Sequence, residues 1–471
     1  MPTLTVIQNG IIKKIHFEGD TLLADLLGGS DAHIDYPCGG RGTCRKCTVL
    51  VDGKEELACQ YILRTDATVT LPDKKEIVSV TGAEESDRPT ENLCLCLDIG
   101  TTTLALALVS LDEGRAVKVI TAKNPQRSFG ADVISRIDYC AKNGPVSLQQ
   151  SLIQKLREMT AELLGHYGLC DIPRMYAAGN TTMLHLFLGI DCSSIGVSPY
   201  TPAFLESRKV CGKDIGLDRI GEIITLPNIS AFVGSDIVAG LGFVGAPRDR
   251  KKYSLLIDLG TNAEIVLFGG GRYLCATAAA GPCFEGANIS CGMSASDGAI
   301  YAYFPDRSYS VIGDRYPVGL CATGLIDLIS ELVRQGIIDE SGYMENGEFR
   351  LTNTVRLTAE DVREFQLAKS AVMSAIQCLM KRGGVGFDEI EKMYVAGGFS
   401  AKMRVDNAAY LGLLPRELAD RFSPINNSSL LGTIKFACES TPLEDIANAA
   451  EFIDIGADSL FSELFFENMI F

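Results

Sequence analysis

The sequence predicts an α/β chain with a small α+β domain at its N-terminus, and three observations carry that reading. Four cysteines cluster within the first 60 residues. A polar stretch without apolar periodicity follows over 81–92. The rest of the chain then runs twice through the same succession of strand, turn and helix.

At 471 residues there is room for two to four domains. A hydrophobic fraction of 46% with 22% charged residues is ordinary for a globular chain. The formal charge of -16 argues against a nucleic-acid partner, because a phosphate backbone calls for a basic stripe. The N-terminus has no basic region leading into an apolar core, and no later run reaches about 18 apolar residues. No membrane association is expected, and the expected location is the cytoplasm. Beyond the first four, the remaining cysteines stand scattered, mostly in apolar runs such as Leu93-Cys94-Leu95-Cys96-Leu97, as reduced thiols packed like small hydrophobes. Cys94 and Cys96 lie two apart in a strand, so both face one side and read as core. Such thiol usage suits an anaerobe.

The first domain, 1–80, reads as short strands near 4–8, 11–17, 48–51 and 68–71 with a helical stretch near 21–27. That is the size and rhythm of a β-grasp ferredoxin. Cys38, Cys44, Cys47 and Cys59 stand in the order Cys-x5-Cys-x2-Cys-x11-Cys, with Gly at three of the seven positions between the first three. A loop wrapping a cluster needs that freedom in φ and open N–H groups aimed at sulfur. The spacing is similar to plant-type ferredoxins and points to a [2Fe-2S] cluster. Structural zinc, the competing reading, favours two separated Cys-x2-Cys pairs. Residues 81–92 read as a flexible linker, with a root-mean-square span of roughly 20 Å.

The repeat divides the remainder into halves at 93–248 and 249–471. Asp98-Ile99-Gly100-Thr101-Thr102-Thr103 returns as Asp258-Leu259-Gly260-Thr261-Asn262-Ala263, each copy between apolar strands. Met175-Tyr176-Ala177-Ala178-Gly179-Asn180 returns as Met393-Tyr394-Val395-Ala396-Gly397-Gly398, each after a long amphipathic helix near 147–165 or 359–381. Two similar halves imply a cleft between them. A tight Asp-x-Gly-Thr turn exposes backbone N–H groups and hydroxyls, as a polyphosphate requires. Gly100, Thr101, Thr102, Thr103, Gly260, Thr261 and Asn262 are therefore the candidate phosphate contacts. Asp98 and Asp258, at strand ends, are placed to hold Mg2+ directly or through water. Gly397 and Gly398 would admit a flat adenosine with no Cβ in the way. Glu264 and Glu285 are the candidates to position an attacking water.

Several stretches give the whole chain a specific resemblance. They are Asp98-Ile-Gly-Thr-Thr-Thr103, Asn124-Pro-Gln126 with Gly130-Ala-Asp-Val133, Gly179-Asn-Thr-Thr-Met183, Val233-Gly-Ser-Asp236 and Asp258-Leu-Gly-Thr-Asn262. Ala279-Ala-Gly-Pro282 with Phe284-Glu-Gly286, Gly324-Leu-Ile-Asp327, Ala368-Lys369 and Ala396-Gly-Gly-Phe399 continue the series. The chain resembles the reductive activators of corrinoid proteins, in which a [2Fe-2S] domain is fused to a duplicated ribonuclease H-like, actin-type ATPase of the acetate kinase, sugar kinase and heat-shock chaperone superfamily. The resemblance adds Phe399 to the nucleotide contacts. It implies ATP-dependent, one-electron reduction of an inactive Co(II) corrinoid to Co(I) on a partner of a methyl-transfer system, fed by an upstream electron donor.

Plant-type clusters lie near about −400 mV, and the corrinoid couple is expected lower. A gap of a couple of hundred millivolts costs roughly 5 kcal/mol for one electron, which ATP hydrolysis covers. Two departures stand out. Members of the family carry a further segment between the ferredoxin domain and the ATPase, whereas here only the short linker intervenes, so dimerisation through that segment is doubtful while a homodimer stays open. Asn426-Asn427-Ser428-Ser429-Leu430 stands where a Gly-Asn-Ala type run belongs, and no role is carried over to it. The alternatives are a redox-regulated small-molecule kinase, a plain electron carrier on a degenerate nucleotide fold, and an acyl-CoA dehydratase activator, which binds a [4Fe-4S] cluster between two subunits.

Overall fold

A computed structural model describes residues 1–8, 11–28, 42, 47–71, 91–246 and 252–471. The N-terminal unit contains β1 (Thr3–Gln8), β2 (Ile11–His16), β3 (Thr21–Leu22), α1 (Leu23–Gly28), β4 (Thr48–Val51), β5 (Lys54–Leu57), β6 (Ile62–Leu63) and β7 (Ala67–Thr70). Its sheet runs β2-β1-β7-β4-β5, with β1 and β7 parallel at the centre. Alternation in β1 turns Leu4 and Val6 inward, where Val49, Val69 and the α1 residues Leu23 and Leu27 meet them. The helix starts two residues later than the sequence suggests. Thr21 and Leu22 are extended instead because they pair with Leu63 and Ile62.

The first half of the remainder comprises β8 (Leu93–Ile99), β9 (Thr103–Ser110), β10 (Arg115–Lys123), α2 (Val133–Asn143), α3 (Val146–His166), β11 (Ile172–Gly179), α4 (Thr181–Leu188), β12 (Arg208–Cys211), β13 (Ile220–Thr225) and α5 (Ser235–Phe243). The second opens with β14 (Tyr253–Leu259), β15 (Ala263–Gly269) and β16 (Arg272–Ala278). A small insertion of β17 (Ala299–Tyr303), β18 (Tyr309–Val311) and β19 (Gly319–Leu320) leads into α6 (Ala322–Arg334) and the β20 (Glu348–Arg350) and β21 (Arg356–Thr358) pair. Then come α7 (Ala359–Gly383), β22 (Ile390–Ala396), α8 (Val405–Tyr410), β23 (Phe422–Pro424), α9 (Ser428–Glu439), α10 (Leu443–Ala449), β24 (Ala450–Phe452) and α11 (Ser459–Glu467).

The two six-stranded sheets run β10-β9-β8-β11-β13-β12 and β23-β22-β14-β15-β16-β24. Each begins with an antiparallel meander, crosses over through a long helix, and lays its fourth strand parallel to its first. The registers coincide as well: Asp98 faces Ala178, and Asp258 faces Ala396. Duplication is thus visible at single-residue resolution, and the fold is the expected actin-type one. Helix α3 buries Leu148, Leu152, Leu156 and Leu163 on its sheet-facing stripe. Helix α7 starts at a reciprocal cap between Thr358 and Asp361.

What brings the sheets face to face is an exchange of helices. Leu430 and Ile434 of α9, from the second half, pack on Cys94, Cys96, Ala105 and Ala107 of the first sheet. Ile237, Val238 and Leu241 of α5, from the first half, pack in one cluster with Leu256, Val266 and Phe268 of the second sheet. The helices cross where Gly432 of α9 lies on Ala239 of α5, so closely that a Cβ at 432 would stand 2.9 Å from Ala239 Cα and nearer still to its carbonyl. Each half therefore lends the other a wall.

Candidate functional site

In the N-terminal unit Cys47 immediately precedes β4 and Cys59 follows β5. Their sulfurs are buried and 3.2 Å apart, in one cluster with Leu23 and Leu27. Two thiolates on one tetrahedral metal, each bond about 2.3 Å, stand roughly 3.8 Å apart, so this pair needs only a small opening to share one iron. Gln60 points its amide at the Cys59 sulfur from 4.0 Å. The donor set fits an iron-sulfur cluster. Cys38 and Cys44 lie outside the described residues.

In the two halves that follow, Asp98 and Asp258 are the penultimate residues of β8 and β14, each just before its turn. The first turn spans 100–103 between the paired Ile99 and Leu104. The second spans 260–262 between Leu259 and Ala263, so it is one residue shorter. Gly100 N–H donates to the Thr103 carbonyl and Gly260 N–H to that of Asn262, both at 3.0 Å. Gly100 must lack a side chain, since a Cβ would stand 2.5 Å from the Thr103 oxygen. Thr102 Oγ1 crosses the cleft and donates to Glu285 Oε2 of the second half at 3.2 Å. Glu285 also lies against the second turn, its Oε1 3.9 Å from where a Cβ of Gly260 would be. One carboxylate therefore bonds the first turn and faces the second.

Below the turns the carboxyls of Asp98, Asp236, Asp258 and Glu264 converge. Glu264 faces Asp258 across the β14–β15 ladder. Burial raises Asp98, opposed by hydrogen bonds from Ser429 and Asn427. Burial and then the charge of Asp98 push Asp258 up to about 6, against the nearby Ser428 hydroxyl. Asp236, on the first turn of α5, is pushed up to about 7 by burial and the charge of Asp258. Glu264 is raised well above the usual carboxylate range by burial and by Asp236 and Asp258. Among the described residues none of the four makes an ion pair, so the group attracts a cation. No three His, Cys, Asp or Glu among the described residues are grouped to wrap a bare ion. That suits Mg2+, which keeps most of its waters and takes phosphate oxygens.

Some expectations change at this point. Gly397 has φ +110°, and a Cβ there would run into the Leu259 carbonyl, just as one on Gly179 would stand 2.8 Å from that of Ile99. The glycine at 397 therefore serves the approach of β22 to β14, and no space for an adenosine need explain it. Gly398, exposed with nothing within 4 Å, keeps that possibility. Phe399 stacks on Phe284, ring centroids 5.5 Å apart, and packs on the core of the second half instead of standing free.

The stretch to which no role was carried over proves central. Asn427 Nδ2 donates to Asp98 Oδ2 at 2.8 Å and Ser429 Oγ donates to Asp98 Oδ1 at 2.7 Å. Asn427 also caps α9 through Leu430 N–H. Asp236 closes the stretch Val233-Gly-Ser-Asp236, away from both turns in sequence, and its convergence with Asp258 shows in three dimensions alone. Asn180 caps α4 and donates to Thr101 Oγ1 at 3.2 Å, joining the two repeated motifs of the first half.

Residues 6–68 match the family described as the 2Fe-2S iron-sulfur cluster binding domain. Residues 93–248 match the RACo middle region, and 252–471 the C-terminal domain of RACo, the ASKHA domain. The corrinoid activation enzyme RamQ of Eubacterium limosum is 26% identical over 584 residues, covering 98% of each chain. That alignment is longer than the present chain, so the relative carries residues with no counterpart here. A [Co(II) methylated amine-specific corrinoid protein] reductase of Methanosarcina barkeri is 26% identical over 76% of this chain and 72% of its own. Among solved structures, a reductive activator for a corrinoid, iron-sulfur protein superposes with a TM-score of 0.72 at 25% identity, covering 99% of this chain and 98% of that one. With both RACo domains in tandem behind a 2Fe-2S domain, the chain belongs to the RACo-type reductive activators of corrinoid proteins.

Proposed function

We propose that this protein spends ATP to drive a one-electron reduction of Co(II) corrinoid to Co(I) on a partner protein of a methyl-transfer system. The observation that carries the reading is the cleft itself. Two Asp-Gly-Thr turns face each other, with four converging carboxyls below and Glu285 across the mouth, in a chain that also pairs two buried cysteine sulfurs. Cys47 and Cys59, with Cys38 and Cys44, hold the cluster, which supplies a one-electron carrier when bound.

The amides and hydroxyls of Gly100, Thr101, Thr102 and Thr103, and those of Gly260, Thr261 and Asn262, grip the phosphates. Asp98 and Asp258 would hold Mg2+, directly or through water. Glu285, bonded to the first turn and facing the second, orients the attacking water. Glu264 lies at sheet level beside Asp258, and burial with the charges of Asp236 and Asp258 raises it well above the carboxylate range, which suits it less as a base. Gly398 borders the adenosine. Because Asp98 belongs to the first sheet while its partners Asn427 and Ser429 belong to a helix of the second half, any shift at Asp98 moves one half against the other. We place the domain divisions at 81–92 and near 249; residues 81–90 and 247–251 lie outside the described residues. No helix among the described residues is long and apolar enough to cross a membrane, and we place the protein in the cytoplasm with an upstream electron donor.

ATP hydrolysis measured with and without a purified Co(II) corrinoid protein tests the reading. Turnover should rise with the corrinoid protein and collapse in Asp98→Asn, with no response to sugars. Stimulation by a sugar instead would establish a kinase.

A further inference from the structure

Arg136 is a fully buried arginine, at 0% exposure, that makes no ion pair among the described residues. It lies on the first turn of α2, fixed there by the reciprocal cap between Asp132 and Ser135. Gly130 packs so tightly under this turn that a Cβ would stand 2.9 Å from Arg136 N. The guanidinium is held by neutral groups. Nε donates to the Gly130 carbonyl at 3.0 Å, Nη1 approaches Gln126 Oε1 at 3.5 Å and Met183 Sδ at 3.1 Å, and Nη2 donates to the Thr101 carbonyl at 2.6 Å.

The last of these contacts belongs to a pattern. Three successive carbonyls of the first turn are all taken from behind: Gly100 by Asn124 Nδ2 at 2.8 Å, Thr101 by Arg136, and Thr102 by Asn124 N–H at 2.9 Å. Carbonyls drawn back leave the amides of the same peptides facing the cleft, as an anion needs. The second turn has no such backing. Among the described residues nothing donates to the carbonyls of Gly260 or Thr261. A buried cation without a carboxylate in direct contact is costly on its own account. Burial lowers Arg136 to about 9, with Arg127 adding to the effect and Asp132 and Glu285 opposing it, so the group stays charged at neutral pH.

We propose that Arg136 is a positioning residue for the nucleotide: it pins the Thr101 carbonyl and supplies, from behind the first turn, the positive charge that a bound polyphosphate offsets. The two turns are thereby unequal, the first being the principal phosphate contact. This rests on the reading of the turns as phosphate binders given above.

The test is isothermal titration of the full chain with Mg-ATP and with adenosine, for wild type, Arg136→Lys and Arg136→Met. Arg136→Met should weaken ATP binding roughly tenfold to a hundredfold, the range for a charge-assisted bond, while adenosine affinity stays within about twofold. Lys keeps the charge but not the planar fork, so it should fall between. Equal losses for ATP and adenosine, or none for either, overturn the proposal and leave Arg136 a support of the fold. Where Arg136→Met does not fold, Arg136→Lys decides: an ATP-to-adenosine ratio unchanged from wild type refutes the assignment. Wild-type protein that binds ATP no better than adenosine overturns the phosphate reading itself, and this proposal with it.

Discussion

Replacing Gly432 by Ala should cripple the ATPase from the back of the cleft, about where no nucleotide reaches. The added methyl would stand 2.9 Å from Ala239 Cα and closer to the carbonyl carbon and oxygen. Ordinary carbon contacts lie at about 3.5–4.0 Å, so α9 has to retreat from α5 by on the order of 1 Å. Overpacking of this kind costs about 1–3 kcal/mol, which lowers the melting temperature of a unit this large by a few degrees. The same retreat lengthens the bonds from Asn427 and Ser429 to Asp98, now 2.8 and 2.7 Å, to about 3.7 Å, beyond hydrogen-bonding range. Differential scanning calorimetry of the full chain reads the first effect and steady-state ATP hydrolysis the second. Turnover should fall at least about tenfold, a larger loss than a few degrees of melting explains at 25 °C. A Gly432→Ala protein that melts with wild type and hydrolyses ATP within about twofold of it would refute the argument that the helix crossing sets Asp98.

Other outcomes follow from the same geometry. Ser429→Ala removes a bond that lowers the Asp98 pKa, so the acid limb of the kcat–pH profile should move to higher pH; an unmoved limb contradicts the role given to Ser429. Asp258 and Asp236, lifted to about 6 and about 7, bind protons in the folded chain that the unfolded chain has released. Stability without Mg2+ should therefore fall as pH rises from about 4 to about 7, and the slope should flatten in Asp236→Asn/Asp258→Asn. A wild-type slope in the double variant sinks this. Glu285→Gln should lower kcat for ATP by roughly 10²-fold or more with KM little changed, whereas Glu264→Gln should have the smaller effect; the reverse order reassigns the water. Cys59→Ser should abolish the visible absorbance of the cluster while leaving ATP affinity intact, and loss of both would show that the N-terminal unit is needed for the cleft to form.

The sequence made the duplicated halves legible because the repeat preserves the residues that packing forces to be alike. Asp98 and Asp258 hold the same register against Ala178 and Ala396, and the two glycines after those alanines fit where a Cβ cannot. The cleft carboxylates were partly legible: Asp98, Asp258 and Glu264 flank the turns, whereas Asp236 arrives on α5 from elsewhere. Asn427 and Ser429 escaped because 329 and 331 residues separate them from Asp98. Locally, Asn427 reads as a helix cap and nothing more. The part played by Arg136 was not legible, since its two closest oxygen acceptors are the backbone carbonyls of Gly130 and Thr101, which carry no sequence signal. The exchange of α5 and α9 was hidden for the same reason: an apolar stripe says that a helix packs, without saying on which sheet.

The central claim is that ATP hydrolysis pushes an electron to an acceptor the cluster cannot otherwise reduce. Its most direct test is the Co(II) corrinoid absorbance, followed anaerobically in the presence of the pre-reduced protein and a corrinoid protein, before and after addition of Mg-ATP. The Co(II) spectrum should stay unchanged until ATP is added, then convert to Co(I) in proportion to the ATP hydrolysed. Reduction at the same rate and extent without ATP, or ATP consumed with the Co(II) spectrum unchanged, would contradict the claim.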